Sequence, residues 1–201
     1  MALIAVLVLL FQSQVLPPPF PRDGAMKLFE NDRVVVWDVA WLKQAYPVHR
    51  HVYDYAGVYY TNGDRIVISE GRRSPTTSVA WDTFFFRRGV THSEEGAGDV
   101  PLKAVFVEFK EAEPLGKLDA STTSPAFPGD AGKQIRDSER VTIWEFVPGP
   151  APSRSGHLHT RDAIIVAFSN LKPRVTFVPR NTIHSDEQTA GADRAYVFEL
   201  K

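Results

Sequence analysis

Apolar positions along this chain come in short runs broken by turn-forming residues. The runs Arg33–Val39, Tyr55–Tyr60, Arg65–Ile68, Ala104–Phe109, Ala163–Phe168 and Val175–Val178 are rich in β-branched and aromatic side chains. Gly, Asn, Asp and Pro bound them, which predicts strands. No stretch beyond the N-terminus holds a helical period of three turns. Asn62-Gly63, inside Thr61–Asp64, carries the strongest short signal for a β-hairpin. Many short strands with turn punctuation predict an all-β sandwich or jelly-roll barrel.

The pattern occurs twice. Arg33-Val34-Val35-Val36-Trp37-Asp38-Val39 returns as Arg140-Val141-Thr142-Ile143-Trp144-Glu145-Phe146, and Ala104–Lys110 returns as Ala195–Lys201. Each copy holds an H-x-H followed by an Asp, at His49/His51/Asp54 and at His157/His159/Asp162. The order of features is shared, so one domain is duplicated rather than a solenoid built. The expected organisation is an apolar N-terminal segment at 1–16, a Pro-rich connector at 17–26, a first domain at 27–110, a linker at 111–132 and a second domain at 133–201. The halves differ in an extra loop around Glu70 to Ser78 in the first. Trp37 and Trp144 recur at equivalent places and read as core anchors.

Composition narrows the chemistry. The 201 residues carry a formal charge of −1, so no basic field attracts nucleic acid. Cysteine is absent, which excludes disulfides, thiolate metal sites and a cysteine nucleophile. The apolar run Ala2–Phe11 has the length of a signal-peptide core, although no Lys or Arg precedes it. A periplasmic or secreted location follows from that reading, with no stable membrane span once the segment is cleaved. The alternative is a cytoplasmic protein with a docked N-terminal element. Pro17-Pro18-Pro19 and Pro21 are expected to form a stiff spacer.

All 6 histidines fall into two triples of one shape, His49/His51/His92 and His157/His159/His184. On a strand, residues i and i+2 share a face, so each H-x-H presents two imidazoles side by side. The third histidine follows a turn, Arg88–Thr91 in the first half and Pro179–Ile183 in the second. Three neutral imidazoles suit Fe, Mn, Ni, Zn or Cu and leave open positions for a ligand. Asp54 and Asp162 stand three places after an H-x-H. Alternation puts them on the opposite face, which favours an ion pair or a hydrogen bond to a histidine over direct ligation.

These residues resemble the cupins, β-barrels of the RmlC-like jelly-roll superfamily, and specifically a two-domain cupin. The family's first motif, G-x5-H-x-H-x3,4-E-x6-G, is matched by His49/His51 and His157/His159. The G-x2-H of its second motif is matched by Gly89/His92. In the second copy Pro179-Arg180-Asn181-Thr182-Ile183-His184 carries Asn in the glycine's place, as a positive φ would allow. The resemblance implies an all-β fold of two tandem cupin-type jelly-roll barrels, covering residues ~27–110 and ~133–201. It implies a divalent transition metal held by one or both triples. The family's metal-binding Glu has no counterpart: Tyr55 and Ala56, then Ala163 and Ile164, stand at its place. Cupin-like enzymes with three histidines and no carboxylate include thiol dioxygenases and diketone-cleaving dioxygenases.

The leading expectation is therefore a metal-binding bicupin acting on a small organic molecule, with dioxygenase chemistry if it is an enzyme. Tyr55, at the missing carboxylate's place, is the candidate catalytic residue because its hydroxyl could donate to a metal-bound oxygen atom. Trp81, Phe84, Phe85, Phe86, Tyr53, Tyr55 and Tyr59 offer either a wall over a substrate or ordinary core. Arg72, Arg73, Arg87, Arg88, Arg161, Arg174 and Arg180 offer either a carboxylate anchor or solvated surface. The alternatives are a non-catalytic cupin that binds a sugar or effector, and a metal-assisted isomerase or lyase on a sugar acid. Expected partners are a small molecule and a second copy in a homodimer.

Overall fold

The computed structural model describes residues 15–110, 132–146, 157–185 and 189–201. The expected signal segment and the 111–132 linker fall almost wholly outside them. The first copy contains β1 (Ala25–Glu30), β2 (Val34–Trp41), β3 (Ala45–Arg50), β4 (Asp54–Tyr59), β5 (Gly63–Ser69), β6 (Arg72–Ser78), β7 (Thr83–Phe86), β8 (Thr91–Gly96) and β9 (Leu102–Phe109). The second contains β10 (Gly132–Asp137), β11 (Val141–Phe146), β12 (His157–Leu158), β13 (Ala163–Ser169), β14 (Lys172–Val178), β15 (Ile183–His184) and β16 (Arg194–Leu200). Every strand pair is antiparallel. No helix among the described residues is long and apolar enough to cross a membrane.

Each copy is built on a five-stranded sheet, in order β1-β2-β9-β4-β7 and β10-β11-β16-β13-β14. A smaller sheet faces each: β3-β8-β5-β6 in the first copy, β12-β15 in the second. The central strands of the large sheets, β2, β9 and β4 and then β11, β16 and β13, read as nearly unbroken apolar runs because both of their faces are covered. On one face Val34, Val36, Val105, Val107 and Phe109 join Ile143, Ile164, Val166, Phe168 and Phe198 in a core shared by the two barrels. Phe29 stacks on Phe177 across it, and Tyr60 meets Phe168. The alternate residues Val35, Trp37, Val39 and Trp41 point the other way, into the first barrel, beside Tyr55, Tyr59, Phe84 and Phe106. Among the described residues the second barrel's interior holds Trp144, Ala163, Ile165, Val178 and Val197, continued by Phe146, Ala167, Ala192 and Ala195.

The same repeat ties the barrels together polarly. Arg33 ion-pairs with Asp162, and Arg140 stands 3.7 Å from Asp54. Arg33 and Arg140 are repeat equivalents, as are Asp54 and Asp162, so each arginine reaches the other barrel's aspartate. The arrangement is that of a two-fold symmetric interface within one chain.

Three local expectations change. Asn62-Gly63 makes no hairpin: β4 and β5 belong to different sheets, and this is the corner between them. Gly63 is needed for close approach, since a Cβ there would lie 2.8 Å from that of Leu102. The tight turns lie instead at Glu70-Gly71 (φ 51° and 76°) and Asn170-Leu171 (φ 51° and 56°). Two successive positive φ values match the right-handed twist of the paired strands. Next, the extra segment around Glu70–Ser78 is a strand hairpin, β5–β6, rather than a loop. Finally, the Pro-rich stretch does not stand apart. Phe20 is buried against Trp37 and Phe106, and Pro17 accepts a hydrogen bond from Arg50 N at 2.9 Å.

Candidate metal centres

Both histidine triples converge. Within each, one ligand atom per histidine lies within 4.8 Å of the others. Pairing sets the geometry: His49 is opposite His92 in β3–β8, and His157 is opposite His184 in β12–β15. His49 and His51 turn inward while Val48, Arg50 and Val52 face out. The turn residues then fasten each third histidine. Gly89 N donates to the carbonyl of His51 at 2.8 Å, and Asn181 N donates to that of His159 at 2.7 Å. Gly89 has φ 90° and Asn181 φ 57°, the left-handed region that the glycine of the motif requires.

In the first triple His49 Nδ1 lies 3.0 Å from the carbonyl of Pro47, which leaves its Nε2 inward. Nε2 of His49 and of His92 are buried with no hydrogen-bond partner in the protein. Burial keeps the rings neutral. Desolvation, then repulsion from His92 and His49, pushes His51 down to about 3. Desolvation likewise pushes His92 down to about 4 and lowers His49. Neutral imidazoles with buried, unpartnered lone pairs are the donor set a divalent transition metal takes.

Asp54 and Asp162 do not join their triads. Asp54 accepts from Arg88 N at 2.7 Å and faces Arg87 and Arg140; Asp162 accepts from Arg180 N at 2.8 Å and pairs with Arg33. Each thus clamps the turn before its third histidine to the opposite barrel. Tyr55 lies flat on His51, ring centroids 4.2 Å apart and planes 17° apart, and burial raises its phenol well above the ordinary range.

The aromatic cluster divides by strand parity. Phe84 and Phe86 line a cavity of about 380 Å³ with Tyr55, Tyr59 and Phe106, while Phe85 and Trp81 pack between the barrels. His51 and His92 open onto the same cavity. Two further charged residues line it that the sequence did not single out. Glu94, two places after His92 on the same strand face, has Oε1 4.0 Å from His92 Nε2. It accepts from Trp41 Nε1 at 2.9 Å and from Arg65 Nη1 at 2.9 Å. Of the arginines weighed above, Arg73 pairs with Glu95 at the surface, and Arg87 with Glu139. Arg65 alone of the chain's described arginines lines the cavity.

In the second triple His159 Nδ1 sits 3.1 Å from Glu199 Oε1, and Trp144 Nε1 donates to the other oxygen at 2.9 Å. The first barrel repeats the pair, Trp37 Nε1 donating to Glu108 at 2.8 Å, without the contact to histidine. Cross-strand neighbours explain the difference. Glu199 faces Ala163, whereas Glu108 faces Tyr55, whose ring takes the space against His51. The tryptophans are core anchors as expected, and each also holds this carboxylate.

No protein-family model matches the sequence, and no curated protein matches it. Solved structures do. AerE from Microcystis aeruginosa aligns over 92% of this chain and 96% of its own, with TM-score 0.51 and 13% identity. A cupin 2 conserved barrel domain protein from Leptotrichia buccalis aligns over 88% of each chain, with TM-score 0.50 and 13% identity. A cupin domain from Bordetella pertussis Tohama I covers 46% of this chain and 99% of its own, at 23% identity and TM-score 0.41. Two jelly-roll barrels joined through their large sheets, each with a histidine triple at its motif positions, give this chain the fold of a two-domain cupin.

Proposed function

We propose that the protein is a metal-dependent bicupin that acts on a small organic molecule in its first barrel. The observation that carries the reading is the opening of the His49/His51/His92 triad onto an aromatic cavity of about 380 Å³. That size is within the range of small-molecule sites. His49, His51 and His92 would hold one divalent ion, and His157, His159 and His184 a second. A bound transition metal with three imidazoles and open positions supplies Lewis acidity and, for iron, a place where substrate and O₂ can meet. Dioxygenase chemistry is the reaction class we favour.

The chain's own residues contribute position and exclusion of water. Tyr55 fixes the plane of the His51 ring and carries its proton into the cavity, where the hydroxyl would donate to a substrate oxygen. Phe84, Phe86 and Phe106 give the site an apolar lining that disfavours water. The test is oxygen uptake by iron-loaded protein over a panel of small organic acids, alcohols and diketones. Uptake abolished by His51→Ala, with folding retained, supports the oxygenase. Tight binding of a panel member with no turnover by any metal form moves the protein to the class of binding cupins.

A further inference from the structure

The wall of the first barrel's cavity carries a buried cluster of charged side chains. Arg22, Arg65 and Glu94 have side chains 8%, 11% and 7% exposed, respectively, and form one cluster. The two guanidiniums flank Trp41, at 5.2 and 4.7 Å from its ring, and Trp41 donates to the carboxylate between them. Arg22 Nη1 stands 3.4 Å from Glu94, and Arg22 also stacks on Tyr46 at 3.9 Å. Two cations thus share one anion. A buried, incompletely paired guanidinium is costly, and a further anion beside it relieves that cost.

Arg65 is the cation that reaches the cavity. Two of its N–H groups are taken, by Glu94 and by the Tyr59 hydroxyl at 2.9 Å, and its Nε is buried without a partner. One carboxylate oxygen separates its guanidinium from His92 Nε2, 2.9 Å on one side and 4.0 Å on the other. Tyr55, Tyr59, Phe84, Phe86 and Phe106 supply the aromatic part of the wall, beside valines and the hydroxyls of Ser69, Ser74 and Thr76. We infer that the cavity selects a small organic carboxylate, its anionic end held by Arg65 and its apolar body laid against these rings. The inference rests on the first barrel being the working site and names its substrate class. Arg65 lies on the β5–β6 hairpin, the segment that the second barrel lacks, so the selection belongs to the first barrel alone.

The test is calorimetric titration of the full chain, zinc-loaded and metal-stripped, with benzoate and phenylacetate against benzamide and phenylacetamide. Each acid should bind at least about ten-fold more tightly than its amide, because only the acid completes the charge on Arg65. Arg65→Met should erase that preference, and Arg65→Lys should keep part of it by retaining the charge without the fork. The preference should survive in stripped protein, since the guanidinium and the aromatic wall do not depend on the ion. A lost metal site would show as a failed ion count and leave this preference in place. Equal binding of acid and amide by the wild type, or binding of neither, overturns the inference without recourse to any variant. So does a preference that persists in folded Arg65→Met.

Discussion

The two barrels descend from one pattern and treat their histidines differently. In the second, Ala163 leaves room for Glu199 to hold His159 from behind, the arrangement that fixes a metal ligand's ring and raises its basicity. In the first, Tyr55 occupies that room, Glu108 is cut off from His51, and the added β5–β6 hairpin brings Arg65 beside the triad. One copy holds the histidine ring with a carboxylate, and the other stacks it under a tyrosine at the wall of a lined cavity. A duplicated fold permits this because the shared core holds both barrels whatever each interior does.

The largest effect expected from this contrast is on packing. Phe106 and Val197 are repeat equivalents, the first among the rings of the first barrel and the second beside Trp144 and Ile165 in the second. Phe106→Ala should cost about 3–5 kcal/mol and Val197→Ala about 1–3 kcal/mol in urea unfolding. Equal losses would mean that the interiors are not packed differently.

Next comes pH. Burial raises the Glu108 carboxyl from 4.5 to about 7, so the folded state favours the protonated form. Its contribution is fully present below about 4.5 and is lost as pH rises through about 7, a swing of roughly 3 kcal/mol. Unfolding free energies at pH 5 and pH 8 should converge in Glu108→Gln; a variant with the wild-type slope would contradict the assignment.

Metal affinity should separate the barrels more finely. Glu199→Gln should weaken the second site by about 10–100-fold, while Glu108→Gln leaves the first unchanged, as competition with a chromophoric chelator would show. Ala163→Tyr should imitate the loss in the second site. The smallest effect is in the turns. Leu171 adopts a positive φ where the β5–β6 turn uses Gly71. Leu171→Gly should raise stability by about 1 kcal/mol or less, with a small upward shift of Tm to check it.

Much of this was legible in the sequence for a physical reason. The runs Val34–Trp37 and Ala163–Phe168 are apolar at every step because their strands are covered on both faces, and the H-x-H spacing carries two rings on one face. What stayed hidden was pairing across distance. Arg65 reads as one more polar strand position, and Arg22 as part of a spacer, until Glu94 brings them together. A signal for Glu94 was available: the parity that turns Asp54 away from His51 turns Glu94 toward His92. Asn62-Gly63 misled because its glycine serves a close approach to Leu102 rather than a turn.

The central claim, that both triads are metal sites of one design, is tested most directly by counting ions. Full-length protein dialysed against excess zinc, then freed of loosely bound ion, should hold two per chain. His92→Ala and His184→Ala should each hold one, and the double variant none. A wild-type chain that retains no zinc, or variants that retain as much as the wild type, would contradict the account.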